Sequence, residues 1–315
     1  MLLLWNSISI IEVLPWDLGL RVDYTATTGN IIVDAGMTTS TGTGAINFTA
    51  GDNIHSEIVT TGAGDITFTA TNNITAGNTV GTAAGQISFI AEQGDIETAS
   101  DATLTATSDI TLTAQGNIDQ NAAVASTAQG DVTYSAATGS ITQNAETTAN
   151  TGDIAYTAAQ SITQNAATSI QTGHVNYLAG SNIAQNANTT TQAGQIDYVA
   201  TAGNLTIKES IRTTTGAGDI NFTAGDNIRS EIIGTGEGDI NFTAANNIVV
   251  SNTVDTASGE VNFTATTGSI ETEADAAITA TSNVALQANQ DITQNAAVAS
   301  TAQGDVTYSA ATGSI

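Results

Sequence analysis

Acidic side chains recur at near-constant intervals in this sequence. Asp109, Asp131 and Asp153 are evenly spaced, and Asp219, Asp239 and Glu260 follow one another at nearly the same spacing. Each directly precedes an Ile or Val. Rows of carboxylates suit two kinds of chemistry. Oxygen arrays attract hard cations, so a weak Ca²⁺-binding edge along these six residues is the metal site the sequence offers. Two carboxylates in unlike environments can also cleave a glycosidic bond, one as the acid and the other as base or nucleophile. That second chemistry requires the pair to differ, and here the acids are evenly spread. Stacked ~4.8 Å apart in water, neighbouring charges repel by only ~1 kcal/mol, less with salt. A solvated acidic edge therefore needs no bound ion to persist.

Other reactive groups are sparse. With no cysteine, disulfides, thiolate zinc sites and cysteine nucleophiles are excluded. His55 and His174 sit in different repeats and read as surface residues, and no Ser-His-Asp order, phosphate-cradling glycine loop or zinc spacing accompanies them. Thirty acidic residues face four basic ones (Arg21, Lys208, Arg212 and Arg229), leaving a formal charge of -26. Nucleic acids and anionic membrane surfaces should repel such a chain. Lyase chemistry on an anionic sugar would call for clustered cations, which these four are not.

The elements that must position these groups follow from a repeat. The phrase Gly-x-(Ile/Val)-x-(Phe/Tyr)-x-Ala, as in Gly152 to Ala158, recurs with its first apolar anchor at fourteen positions from Val22 to Val306. Steps between anchors run about 20–24 residues, within the range of solenoid repeats. Apolar residues at i, i+2 and i+4 have the period of a strand with one buried face. The i+4 residue is always Ala, and the i+2 residue is aromatic except at Leu112 and Leu286. Every Phe and Tyr of the chain occupies this column, which leaves only Trp5 and Trp16, in the N-terminal flank, for any sugar-stacking surface.

A second anchor follows eight or nine residues later (Ile31, Ile54, Ile74 and so on to Ile315), after Gly, Asn or Asp pairs that tolerate positive φ and mark corners. A third, looser apolar position appears at Val80, Leu104, Val124 and Ile170. Three short strands in each step make one turn of a coil that can bury its inner face only by stacking on its neighbours. The expected fold is all-β, a right-handed parallel β-helix. Strands of about five residues are too short for a transmembrane barrel, which needs ~9–11.

The string QNAAVASTAQGDVTYSAATGSI occurs at Gln120 to Ile141 and again at Gln294 to Ile315. Eight coil steps span the offset between the two, so 22–141 and 196–315 are copies. The expected organisation is a flank or irregular first strand over 1–20, then an array over 21–315. Within the array, 22–195 is one eight-coil block and 196–315 a partial second block. The flank has no basic residue before Arg21, and Glu12 and Asp17 interrupt its apolar run, which fits neither an export signal nor a membrane span. The last coil stops on its second anchor, so the chain reads as a fragment of a longer array, able to associate end to end.

Two further columns could bind or merely brace. Gln120, Gln143, Gln164 and Gln185, with Asn121, Asn144, Asn165 and Asn186 beside them, stack in four consecutive coils. Side-chain amides both donate and accept, so such stacks can satisfy themselves along the axis. Thr pairs at Thr67/Thr69 and Thr111/Thr113 suggest an ice-like face, but in most other coils Asn, Asp or Ala replaces the first member.

By its repeat length, its Gly-Asp-Ile-x-Phe-x-Ala strands, its Asn-Ile corners and its acidic, cysteine-free composition, the chain over about 22–315 resembles filamentous-haemagglutinin-like giant surface proteins of bacteria. That family's secretion domain carries an Asn-Pro-Asn-Gly motif, which is not found here because the single proline, Pro15, stands in Leu-Pro-Trp. No functional residue carries over. The resemblance implies a non-catalytic β-solenoid shaft of a surface or secreted adhesin. It would be extracellular or on the bacterial cell surface, with a host-surface or matrix ligand bound elsewhere in the parent protein. The acidity, the short strands with no apolar span and the carboxylate edge add the expectation of no nucleic-acid partner, no membrane insertion and no cofactor beyond weak Ca²⁺. The alternatives are a β-helix polysaccharide-active enzyme and a calcium-organised matrix or surface-layer module.

Overall fold

Alternation of apolar and polar residues, interrupted at short intervals by corners, is realised as strands throughout. The computed structural model describes residues 2–5, 8–10, 21–33, 37–39, 43–302 and 304–315, with backbone alone at 2–5, 8–10 and 37–39. Residues 11–20, including Glu12, Pro15, Trp16 and Asp17, lie outside the described residues. Every regular element described is a β-strand. The chain falls into two compact units, Met1–Ala159 and Gln160–Ile315. Each is a parallel β-solenoid of three sheets, with about 13 turns in all.

In the first unit the first sheet contains the strands Val22–Ala26, Ile46–Ala50, Ile66–Ala70, Ile87–Ala91, Ile110–Ala114, Val132–Ala136 and Ile154–Ala158. Leu2–Trp5 from the flank pairs in parallel with Val22–Ala26. The second sheet carries the second anchors in three-residue strands such as Ile54–Ser56 and Ile141–Gln143. The third carries the looser position, in strands such as Val80–Thr82 and Thr147–Thr151. The second unit repeats this plan, for example with Ile196–Ala200, Leu205–Ile207 and Arg212–Ala217 in one coil.

Register places like on like. Ile87, Phe89 and Ala91 pair with Ile110, Leu112 and Ala114, and Ile220, Phe222 and Ala224 with Ile240, Phe242 and Ala244. A one-residue slip would turn every inward side chain to solvent, so the i, i+2, i+4 pattern enforces this pairing. In the coils from Ile46 to Ala288 all three inward positions are buried, as are Val80, Leu104, Val124 and Ile170 at the third. Aromatic rings inherit the strand spacing. Phe48 and Phe68 stack at 4.8 Å with planes 6° apart, and Tyr177 and Tyr198 at 4.6 Å and 3°. Only Phe68–Phe89 turns edge-on, at 64°, among the ring pairs described.

The corners differ from the expectation in their backbone. Among the described residues, left-handed φ occurs at Ser210 and at Gly152, Gly173, Gly194, Gly218 and Gly238. The Asn residues before the second anchor therefore stand at a corner, as expected, but turn it without left-handed backbone. The glycines mark the other corner, where the third sheet leads into the first. There a Cβ on Gly218 would also collide with the Gly194 carbonyl of the coil beneath. Only Gly satisfies both demands.

Candidate functional site

The six acidic residues lie where that glycine corner meets the first sheet, and the fold stacks them as the spacing suggests. In the first unit the Asp131 amide donates to Asp109 Oδ1 at 2.9 Å, and the Asp153 amide to Asp131 Oδ1 at 2.7 Å. In the second, the Asp239 amide donates to Asp219 Oδ1 at 2.8 Å and the Glu260 amide to Asp239 Oδ1 at 2.9 Å. Main-chain carbonyls continue the pattern, with Ile110 N–H donating to Asp131 O. One carboxylate oxygen thus accepts the amide of the next coil where the strand ladder has yet to begin. Such charge-assisted bonds offset the mutual repulsion of the column. His174 holds the equivalent position in its own coil, its Nδ1 accepting the Gln195 amide at 3.1 Å. Among the described residues, no group of three or more His, Asp or Glu side chains gathers around a common point suited to a metal ion.

The second corner uses amides for the same purpose. Asn73 accepts from the Asp95 amide and Asn53 from the Asn73 amide. In the second unit Asn227 and Asn247 accept from the amides of Asn247 and Ser269. Asn therefore precedes the Ile anchor because its side chain reaches the next coil's N–H. The side chains of Asn121 and Asn144, and of Asn165 and Asn186, also bond along the axis, at 2.8 and 2.9 Å, as expected for a self-satisfying amide stack.

The glutamines behave differently. Gln120, Gln143, Gln164 and Gln185 point into the core and are fully buried. Their side chains are wired across the interior rather than only up the axis. Gln164 Nε2 donates to Ala166 O (3.2 Å), Asn188 O (3.1 Å) and Thr189 Oγ1 (3.0 Å). Tyr198 donates its hydroxyl to Thr189 Oγ1 at 2.7 Å, and Tyr177 to Thr168 Oγ1 at 2.8 Å. In the first unit Thr147 Oγ1 donates to Gln120 Oε1 at 3.1 Å and lies 3.1 Å from the Tyr134 hydroxyl. A buried Gln–Thr–Tyr network therefore replaces the expected glutamine ladder. Burial pushes the Tyr177 and Tyr198 phenols well above their ordinary range.

The sequence carried the signal for this network. Tyr134, Tyr156, Tyr177 and Tyr198 occupy the aromatic column in the same four coils that put Thr147, Thr168, Thr189 and Thr213 at the third-sheet position. Phe48, Phe68, Phe89, Phe222, Phe242 and Phe263 instead share their coils with Val, Leu or Ile.

Glu231 is buried in the second unit, whereas His55, Glu57, Arg229 and Glu273 are at the surface. His55 Nε2 lies 3.3 Å from Glu57 Oε1, both partly exposed. Arg229 holds Glu273, two coils away, through both guanidinium nitrogens at 2.9 and 3.3 Å. The Arg229 guanidinium keeps the Glu273 carboxyl below the usual carboxylate range. An open groove bounded by Ser258, Thr281, Ser282, Ala302 and Gly304 presents hydroxyls and backbone. Among the described residues no helix is long and apolar enough to cross a membrane.

Fold and site together define a three-sheet parallel β-solenoid whose polar columns are taken up by coil-to-coil hydrogen bonds. No family model matches the chain, no curated protein is detectably similar, and no solved structure matches it.

Proposed function

We propose that the chain is a structural shaft segment of a large bacterial surface or secreted adhesin of the filamentous-haemagglutinin-like kind. It gives reach, while ligand recognition resides elsewhere in the parent. The observation that supports this reading most is the use made of the side chains that could otherwise do chemistry. Aromatics stack inward, and Asp109, Asp131, Asp219 and Asp239 each accept the next coil's amide. A fold that spends its reactive groups on holding coils together suits a spacer, although fold alone does not set a role. Antibodies raised against the chain should label intact producing cells or their medium. Strictly cytoplasmic protein, or release of reducing ends from a polysaccharide panel that is lost on neutralising Asp131 and Asp153, would refute the proposal.

A further inference from the structure

Charge is unevenly placed around the coils of the first unit. Residues 46–158 include twelve Asp and Glu and no Lys or Arg. None of the twelve stands on the outer face of the first sheet. Six strands from Ile46–Ala50 to Ile154–Ala158 present twelve outward side chains there: seven Thr, two Ser, Asn47, Ile90 and Ala155. These residues are partly or fully exposed. The outer face of the second sheet, by contrast, carries Glu97 and Asp119. The third sheet offers a narrower uncharged strip, flanked by exposed Asp101 and Glu146.

We propose that this uncharged first-sheet face docks a second copy of the same chain, sheet against sheet. Electrostatics selects the occupant. Two chains of formal charge -26 repel wherever acids meet, so the broad neutral face is where they approach at least cost. Its chemistry also suits a copy of itself, since each Thr pairs a methyl for packing with a hydroxyl that both donates and accepts. The extent fits a weak dimer. Six strands at ~4.8 Å and five residues at ~3.3 Å give about 500 Å² per copy, so about 1,000 Å² in total, the lower bound for a specific interface. A two-fold axis along the stacking direction makes the contact isologous and sets the two Asp109–Asp131–Asp153 edges on opposite sides of it.

Sedimentation velocity on the full chain tests this. The dimer fraction should rise with concentration, and also with NaCl from about 0.05 to 0.5 M as the remaining repulsion is screened. Thr67→Asp with Thr111→Asp should weaken dimerisation roughly tenfold or more, because like charges then face each other across the interface. Thr142→Asp on the second sheet and Thr105→Asp on the third should leave it unchanged. Mixing the Thr111→Asp chain with a Thr111→Lys chain should restore pairing as a heterodimer. Circular dichroism confirms that each variant is folded, and Thr113→Asp alone, which would face the partner's acidic edge, repeats the test if the double variant is not. A monomer at every salt and concentration overturns the proposal. So does association that the first-sheet variants leave unmoved, which would point to end-to-end contact or to another face.

Discussion

Thr189 is the hub of the buried network in the second unit, and removing its hydroxyl tests whether the network acts as a unit. In Thr189→Val the shape is kept, but the Tyr198 hydroxyl loses its 2.7 Å acceptor and Gln164 Oε1 loses its 3.2 Å donor. Gln164 Nε2 still reaches Ala166 O and Asn188 O, so the loss falls mainly on the phenol and the amide oxygen. The Tyr198 hydroxyl keeps its contacts to Thr213 and Tyr177, so the cost of weakening the pairing of these buried groups is about 1–3 kcal/mol at most. Tyr198→Phe removes a donor and leaves behind a Thr hydroxyl that Gln164 still serves, so it should cost only about 0.5–1.5 kcal/mol. In the double variant nothing polar is stranded on the Tyr198 side, and the total should not exceed that of Thr189→Val alone. The expected coupling is about 1 kcal/mol. For a cooperative unit of this size each kcal/mol moves the melting temperature by about 2–4 °C. Thermal melts followed by circular dichroism on the four chains measure it. Strictly additive losses would mean that Thr189 and Tyr198 are near one another without depending on one another.

Replacing Tyr156, which is buried, by Asp should lower the melting temperature far more than replacing its outward neighbour Thr157, and equal losses would reverse the assigned faces. Tyr177 and Tyr198, whose phenols are held neutral by burial, stabilise the fold below the ordinary tyrosine range and lose that contribution as pH climbs past it. Changing both to Phe should therefore leave the native chain's phenolate absorbance between about pH 9 and 11 unaltered. Asp255, an exposed side chain whose carboxyl is partly desolvated by its neighbours, is pushed up first by that desolvation, against the pull of Arg212. Its contribution is present at acid pH and lost as pH rises through the raised value, so Asp255→Asn should raise the melting temperature at pH ~7 but not at pH ~3. For the acidic edge the Ca²⁺ proposal expects millimolar calcium to raise the melting temperature, with the gain reduced in Asp131→Asn/Asp153→Asn; no gain leaves hydrogen bonding as the edge's sole role.

The coil was legible because its signal is short-range and repeated. Ala at i+4 and an aromatic at i+2 fix which face of each first-sheet strand is buried, and like-on-like register follows once that face is fixed. What escaped was directional. A sequence shows that Gln143 and Gln164 recur, but whether an amide points along the axis or into the core depends on a hydroxyl supplied from another sheet. Only the joint occurrence of Tyr134 with Thr147, or Tyr198 with Thr213, carries that information. The Asn corners misled for a related reason. Asn73 and Asn247 suit left-handed backbone, but what is used here is the side-chain oxygen, set to receive the following coil's amide. The acidic column was found by spacing, while its hydrogen bonding was not, since a carboxylate that caps an amide and one that awaits a cation look alike in sequence.

Because each coil presents to the next the edge that it itself received, with Ile over Ile and Ala over Ala, coils of one kind, the Phe coils or the Tyr–Thr coils, are interchangeable parts among themselves. Unequal recombination that adds or deletes entire coils in phase within a run of like coils would leave every junction chemically familiar, whereas a deletion within one coil would break the corner ladders above and below it. Selection on such a gene can therefore adjust copy number freely while holding each column almost fixed. The identical strings at Gln120 to Ile141 and Gln294 to Ile315, a whole number of coils apart, are the trace such an exchange leaves.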